Sequence, residues 1–367
     1  MKKNSISRKQ SPKRKQNRMQ SPITIGMDLG DKTSRYCVLN ENGEVELAAA
    51  VATTRKAMME KFKGLPKCRI AIEVGTHSPW VSRLLSELGQ EVIVANARQV
   101  KVIGSSSRKT DKVDAEMLAR LARADLQLLR PIRHRSEKAQ ADLMTIRIRA
   151  ALVEARTALI NSLRGIAKGM GERVPACAAD YLGLDQLEAL PEKLKETLKP
   201  LMEEVETLTA KIKACEAKIE QIARKDYPET ILLQQVSGVG TLIALTFVLT
   251  VDDKDRFQRS REVGCYVGLR PKRSESGESA PQLGITKEGD RYLRTLLVQG
   301  SHYILSRKGP DTDLKRWGLK LAASGGPRAK KRAIVAVARK LAILLHRLWT
   351  TGEVYEPLRN AQLLKVA

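Results

Sequence analysis

The chain has 367 residues, 42% of them hydrophobic, which suffices for two or three globular domains. Lys and Arg outnumber Asp and Glu by 25, a balance that attracts polyanions and makes nucleic acid the expected partner. No apolar run approaches the roughly 20 residues of a spanning helix, so a membrane is the weaker alternative. Five scattered cysteines without a C-x-x-C pair indicate neither a zinc ribbon nor a disulfide framework.

The first 21 residues are basic and polar, lack an apolar signal segment and are expected to form a disordered arm. From Ile23 the pattern predicts three short strands joined by tight turns into an antiparallel meander. It then predicts a helix near 54–63, a strand at 69–73, a helix at 79–88, a strand at 91–96 and a helix from Asp111 onward. This order predicts an α/β RNase H-like (RuvC-like) domain over residues 22–130.

Strand patterns disappear between residues 131 and 228, where apolar residues recur at spacings of four and three. One such seam comprises Leu201, Val205, Leu208, Ile212, Cys215, Ile219 and Ile222, and an earlier one comprises Leu143, Ile146, Ala150, Val153 and Ile160. Pro200 is expected at the first helical position and Pro228 beyond the end of the helix. The spacing predicts an α-helical coiled-coil arm, but both seams packing inside one bundle is an equally weighted alternative.

Residues 229–350 are expected to form a mostly α-helical domain, followed by a tail at 351–367. Two apolar segments join at a Ser-Gly-Val-Gly turn, residues 237–240, and further helices are expected near 258–268, 287–306, 313–324 and 328–350. Between Leu269 and Ile285 lies a polar loop that is too poor in apolar residues to be core.

Four carboxylates stand in patterns that would present them to one site. Asp28 and Glu73 each end an apolar strand near a glycine, while Asp111 and Asp114 share one face of a helix start. Converging carboxylates suit Mg²⁺, with Mn²⁺ as a substitute, and two such ions support phosphoryl transfer. The helix macrodipole alone also favours aspartates at a helix start. The segment at residues 26–45 also resembles the phosphate loop of actin-fold kinases, although no Gly-rich adenosine-binding segment follows it.

Five segments occur in order between residues 23 and 306: GMDLG, AIEVGT, SSSRKTDKVDAEMLARL, VSGVGTLIAL and YVGLRPKRSESGESAPQLGITKEGDRYLRTLLVQG. Together they resemble the IS110-type (IS1111 group) DEDD transposases. The resemblance implies that Asp28, Glu73, Asp111 and Asp114 are the metal ligands and catalytic carboxylates of a RuvC-like domain. It also implies a helical transposase domain with a serine nucleophile, and a composite site built by different protomers. In such proteins an element-encoded guide (bridge) RNA pairs with donor and target DNA.

The resemblance places the nucleophile in the polar loop. Counting back from Gly289 and Asp290 selects Ser276. The family usually has a Lys shortly after this serine, whereas this chain has Glu-Ser at 278–279. Ser274 is a near rival, and Ser301 is a distant one because its helical spacing suggests packing. An exposed serine beside a glycine and two basic residues suits attack on phosphorus.

Basic and glycine residues near these motifs are the expected nucleic-acid contacts. They are Arg108, Lys109, Lys112, Gly238, Gly240, Lys272, Arg273, Lys287, Arg291 and Arg294. The two glycines resemble a helix-hairpin-helix turn, with a simple tight turn as the alternative. The last three residues are expected along one helix face, as a phosphate clasp or a solvated basic face. His77 follows Glu73 closely, but isolated histidines are common and it is given no role.

We therefore expect a DNA transposase or recombinase of an insertion sequence that cleaves and rejoins strands through a serine–DNA link. Donor and target DNA, the guide RNA and further protomers are its expected partners, with a dimer assembling to a tetramer. The expected location is the bacterial cytoplasm, in association with the nucleoid. A RuvC-like metal-dependent junction nuclease and a non-enzymatic nucleic-acid-binding protein are the alternatives.

Overall fold

The structure is a computed structural model that describes residues 23–96, 111–277, 279, 281, 283–323 and 325–359. The expected arm at 1–21 and the basic residues Arg108 and Lys109 lie outside the described residues, as do the side chains of Asp111 and Lys112. The chain divides into two compact units, of which the first ends at His134 and the second begins at Arg135.

The first unit is built on a five-stranded mixed sheet in the order β3-β2-β1-β4-β5. Its strands are β1 (Thr24–Asp28), β2 (Thr33–Leu39), β3 (Val45–Ala52), β4 (Arg69–Glu73) and β5 (Glu91–Ala95), and its helices are α1 (Arg55–Phe62), α2 (Ser78–Glu87) and α3 (Asp111–Ala124). The first three strands are antiparallel neighbours, whereas β1, β4 and β5 run parallel. Every element predicted from residue 23 to 124 is confirmed, in an order consistent with an RNase H-like domain.

Helix α3 covers one face of this sheet at very close range. A Cβ atom on Gly26 of β1 would lie 2.1 Å from the carbonyl oxygen of Ala115 and 2.3 Å from the amide nitrogen of Ala119. Farther along the helix, the carbonyl of Ala122 accepts a hydrogen bond from Arg69, the first residue of β4. Helix α3 therefore runs opposite to β1 and β4, and its first turn lies at their carboxyl ends.

The second unit is helical. Its helices are α4 (Glu137–Gly169), α5 (Glu192–Asp226), α6 (Glu229–Gln234), α7 (Thr241–Val251), α8 (Arg261–Tyr266), α9 (Arg291–Leu305), α10 (Asp313–Ala323) and α11 (Ala329–Thr351). Helix α7 is buried along most of its length and packs in a core with α9 and α11. None of the described helices is long and apolar enough to cross a membrane.

Helices α4 and α5 pair in antiparallel fashion along the two predicted seams. Leu143 and Ile146 near the start of α4 share a core with Ile222 near the end of α5. Toward the other end of the pair, Leu163 of α4 packs with Leu198 of α5. These contacts agree with the alternative in which the seams pack inside one chain, and a coiled-coil arm between chains stays a prediction.

The expected start of the second long helix is wrong. Helix α5 begins at Glu192, after Pro191, and Pro200 lies inside it at an exposed position. A proline inside a helix removes one backbone hydrogen bond. The helix continues through it because Leu194 and Leu198, before the proline, are buried in the same core as Met202 after it, and this burial outweighs one missing bond.

Candidate active site

Asp28 and Glu73 end two neighbouring parallel strands, β1 and β4, in which Gly26 pairs with Ala71. Residues two apart point to the same face of a strand, so Asp28 shares the face of Gly26, and Glu73 shares the face of Ala71. Helix α3 covers this face, because it approaches Gly26 and because its Leu118 clusters with Ala71. The two carboxylates therefore stand side by side at the edge of the sheet where α3 begins.

Asp114 is brought to the same end of the sheet by the first turn of α3. It precedes Leu118 by four residues and so lies on the side of the helix that faces the sheet. Asp28, Glu73 and Asp114 are each half-buried. Three of the four predicted carboxylates thus gather at one end of the first unit, while the side chain of Asp111 lies outside the described residues.

The donor chemistry of this end suits a hard divalent cation. Within the part of the chain that the structure describes, no three Asp, Glu, His or Cys side chains converge closely enough to chelate an ion. Mg²⁺ needs less than such a cage, because it keeps several waters and is usually bound by one or two carboxylates together with substrate phosphates. The carboxylates of β1, β4 and α3 therefore fit a cation that completes its coordination with a phosphodiester.

The polar loop of the second unit forms a hairpin, here called the serine hairpin, residues 269–287. Its stem is held by backbone hydrogen bonds from Lys272 to the carbonyl of Gly284 and from Thr286 to the carbonyl of Arg270, each 2.9 Å long. Most of its described side chains are exposed. The predicted exclusion of this segment from the core is confirmed.

Ser276 occupies the tip of the serine hairpin. Its amide donates to the carbonyl of Ser279 at 3.1 Å, and the amide of Ser279 donates back to the carbonyl of Ser276 at 3.0 Å. Beside these bonds Gly277 has a φ of 56°, in the left-handed region that glycine adopts easily. Ser276 and Ser274 are both exposed, but Ser276 adjoins the glycine turn.

Ser301, the distant rival, is fully buried in helix α9. Its hydroxyl donates to the carbonyl of Leu297 one turn earlier, at 2.8 Å. It therefore has the packing role that its spacing suggests.

The expected row of basic residues along one helix face is wrong. Helix α9 begins only at Arg291, because Asp290 caps it by accepting a hydrogen bond from the amide of Leu293 at 2.8 Å. Lys287 lies before the helix with a φ of 58°. Arg294 turns back toward the chain and donates to backbone carbonyls, whereas Lys287 and Arg291 are exposed.

Lys272 and Arg273 are exposed on the first arm of the serine hairpin, four and three residues before Ser276. They are therefore available to a phosphate that approaches the tip, and their role as DNA contacts stays a prediction.

Gly238 and Gly240 lie between α6 and α7 and differ in their surroundings. A Cβ atom on Gly238, whose φ is 87°, would lie 2.9 Å from the carbonyl oxygen of Gly300 in α9. Close packing of the turn against α9 therefore explains why residue 238 is a glycine. Gly240 precedes α7, has open space around it and leaves that helix without a side-chain cap. An open groove beside both residues is lined by Gln299 and Tyr303.

His77 joins the two loops that follow β1 and β4. Its Nε2 atom lies 3.5 Å from Oδ1 of Asp31, and its Nδ1 atom accepts a hydrogen bond from Nε1 of Trp80 at 3.1 Å. These two contacts account for the orientation of the imidazole ring.

The sequence patterns missed Asp290, Gly268 and Gly289, which support the base of the serine hairpin. The side chain of Asp290 is 5% exposed and forms ion pairs with Arg135 and Arg147. An aspartate directly before a helix start is an N-cap signal, so the cap was readable from the sequence. The ion pairs were not, because their partners lie more than 140 residues away.

Residues 25–171 match the DEDD-type IS110 transposase family, and residues 231–315 match the family described as the transposase IS116/IS110/IS902 family. The chain is 29% identical over 341 residues to a probable family 20 transposase of Pseudomonas aeruginosa, covering 91% of this chain and 98% of that protein. It is also 29% identical over 357 residues to the transposase for insertion sequence element IS1111A of Coxiella burnetii, with 94% of each chain covered. A transposase for insertion sequence element IS1328 of Yersinia enterocolitica is 26% identical over 293 residues, which are 79% of this chain and 86% of that protein.

A mixed sheet with carboxylates at its strand ends, in a strongly basic chain, is consistent with an enzyme that processes nucleic acid. The family matches, which together span more than half of the chain, narrow this class. The chain belongs to the IS110 family of transposases, enzymes that cut and rejoin DNA.

Proposed function

We propose that this transposase cleaves and rejoins DNA through a covalent link between Ser276 and a DNA phosphate, assisted by a divalent cation held by Asp28, Glu73, Asp111 and Asp114. The observation that carries the proposal is the exposed position of Ser276 at a tight glycine turn. That turn lies in a chain whose other unit gathers carboxylates at one sheet edge.

The carboxylates would serve by binding and orientation. A cation bound there would neutralise charge on the phosphate oxygens and lower the barrier to attack, and Mg²⁺ is the ion we propose. Asp28 and Glu73 are held by the paired strands β1 and β4, and Asp114 by a helix that is packed against them. Such ligands keep their geometry while substrate binds.

Ser276 would act as the nucleophile. Its Oγ atom forms a bond to phosphorus, the bond from phosphorus to one sugar oxygen breaks, the serine proton passes to solvent, and the departing oxygen takes up a proton. The reverse step restores the phosphodiester when a sugar hydroxyl from another strand attacks the phosphoserine. The number of phosphoester bonds is unchanged, so rejoining needs no ATP.

Binding of DNA is supported by the formal charge of +25 and by the exposed Lys272, Arg273 and Arg291. We extend the proposal to an element-encoded guide RNA and to a dimer that assembles into a tetramer. These two parts are supported by the resemblance to the IS110-type transposases. Neutralisation of many phosphates predicts a steep loss of DNA affinity with salt.

The test is capture of the covalent intermediate. The protein is mixed with labelled DNA from either side of its coding sequence, RNA transcribed from the same region, and Mg²⁺. Denaturing gels should then show a protein–DNA adduct that is present in the wild type and in Ser274→Ala but is lost in Ser276→Ala. Adducts retained by Ser276→Ala would refute the serine assignment.

The same assay distinguishes the proposed transposase from a junction nuclease that uses only metal ions and water. That enzyme would cut DNA without any adduct, would be unaffected by Ser276→Ala and would lose cleavage in Asp28→Asn. The proposed transposase loses adduct formation in both variants.

A further inference from the structure

We propose that Asp290 and Arg294 are positioning residues that hold the base of the serine hairpin and so aim Ser276 at the scissile phosphate. The inference deepens the proposed function and rests on its serine chemistry. It also reassigns Arg294, which the sequence places among the phosphate contacts.

Arg294 ties together the two ends of the serine hairpin. Its Nη1 atom donates to the carbonyl of Val267 at 2.9 Å and to the carbonyl of Glu288 at 2.7 Å. Val267 lies two residues before the start of the first arm, and Glu288 directly follows the second arm. One guanidinium group thus bridges both points where the hairpin leaves the helical unit.

Two glycines bring these ends into backbone contact. A Cβ atom on Gly268 would lie 2.1 Å from the carbonyl oxygen of Glu288, and one on Gly289 would lie 1.9 Å from the carbonyl oxygen of Tyr266. Both glycines have positive φ angles, of 70° and 69°, and the amide of Lys287 donates to the carbonyl of Gly268 at 3.1 Å. Close-packed backbones of this kind leave little room for one arm to slide past the other.

Asp290 anchors this base to the long helix α4. Its Oδ1 atom caps α9, and its Oδ2 atom is bound by Arg147 of α4 and lies 3.4 Å from Arg135. Arg147 also stacks over the ring of Tyr292 at 5.5 Å. A buried carboxylate that loses a partner leaves uncompensated charge, so this carboxylate strongly favours a single placement of the α9 start.

The tip contrasts with this base. Ser276 is exposed and is held by the backbone bonds of its own turn, whereas the base is bound by a guanidinium group, by close glycine contacts and by a buried ion pair. A rigid base under an exposed tip is what a nucleophile on a hairpin needs, because a misplacement of about 1 Å can cost roughly a hundredfold in rate.

The first test uses Arg294→Met, which keeps much of the side-chain length but removes the guanidinium group that bonds to Val267 and Glu288. Arg307→Met is the control for the loss of charge. Arg307 is exposed beyond the end of α9. Hydrogen–deuterium exchange measures how firmly the hairpin base is held and does not depend on DNA cleavage. We expect the amides of Thr286 and Lys287 to exchange faster, by about tenfold or more, in Arg294→Met than in the control, with unchanged exchange in α7 and α11.

The second readout separates positioning from phosphate binding. In Arg294→Met the rate of adduct formation should fall by about tenfold or more, while DNA affinity should fall no further than in Arg307→Met. Loss of DNA affinity in parallel with the adduct would overturn the proposal in favour of a phosphate contact. Unchanged exchange at Thr286 and Lys287 would overturn it as well.

Arg147→Met keeps the test decisive if Arg294→Met does not fold, because it leaves the cap of α9 and the pair with Arg135 in place. We expect the same direction of change in both readouts, and wild-type exchange at the hairpin base would contradict the role of Asp290. Failure of the serine assignment is recognised separately, as adducts that persist in Ser276→Ala while the exchange results stand.

Discussion

The carbonyl oxygen of Ala115 lies so close to Gly26 that a Cβ atom at residue 26 would stand 2.1 Å from it. This contact sets the depth at which α3 rests on the sheet. Because Asp114 precedes Ala115 directly, the same contact sets where Asp114 lies relative to the strand ends that carry Asp28 and Glu73.

Gly26→Ala should therefore destabilise the first unit by about 3 kcal/mol or more, at the upper end of the range for overpacking, because the new methyl group meets backbone atoms of two residues of α3. Hydrogen exchange of the β1 and β4 amides measures this loss. Gly75→Ala is the matched control, since a Cβ atom there has nothing within 4 Å. Equal exchange in the two variants would mean that α3 can move away at little cost.

Glu73→Gln should weaken the binding of Mn²⁺ by at least about tenfold, since even the loss of a residue that only supports a metal ligand costs about 10- to 100-fold. Calorimetric titration with Mn²⁺ in the absence of DNA measures the affinity, so the result does not depend on catalysis. Glu87→Gln, at the exposed end of α2, should bind as the wild type does. Equal affinities in both variants would exclude Glu73 as a ligand.

Pro200→Ala should stabilise the protein by about 1–3 kcal/mol. A proline inside a helix costs about 3 kcal/mol relative to alanine, and the tertiary context of the helix can reduce this difference. The site is exposed, so the change removes no packing. Urea denaturation measures the gain, and Lys199→Ala next to it serves as the control. A destabilised Pro200→Ala protein would show that the proline shapes α5 in a way that its packing requires.

Stability should fall as the pH drops below the ordinary histidine pKa of about 6.5, in part through His346. Burial lowers the pKa of His346 in the folded protein, an effect that its hydrogen bond to the carbonyl of Lys254 and the nearby Asp255 and Glu262 partly offset. The unfolded chain therefore binds this proton more readily than the folded one. The stabilisation is complete above the unfolded pKa and is lost as the pH falls toward the folded pKa.

Thermal unfolding of the wild type and of His346→Gln between pH 7.5 and pH 5 measures this contribution. The melting temperature of the variant should depend less on pH than that of the wild type. His302→Gln, which changes an exposed histidine on α9, should keep the wild-type dependence. The prediction is wrong if all three proteins lose stability in parallel.

The amino-acid sequence by itself predicted most of the local elements and proposed the residues of the site. Short apolar segments bounded by turn residues predict the strands between residues 23 and 96, because a strand buried on both faces reads as a continuous apolar run and a half-buried strand as an alternating one. Asp28 and Glu73 follow from the ends of those strands. The polar composition between Leu269 and Ile285 similarly predicts that Ser276 is exposed.

Only the tertiary structure decided which distant groups meet. The spacing of the two apolar seams does not say what they pack against. The structure shows that they pair with each other in antiparallel fashion and that α5 continues through Pro200. As a basic residue near the motif, Arg294 is expected to contact phosphate, yet its side chain donates hydrogen bonds to the carbonyls of Val267 and Glu288. The physical reason is that periodicity reports which side of an element is buried, whereas the partner of a buried face or a buried charge depends on backbone approach between segments far apart in the chain.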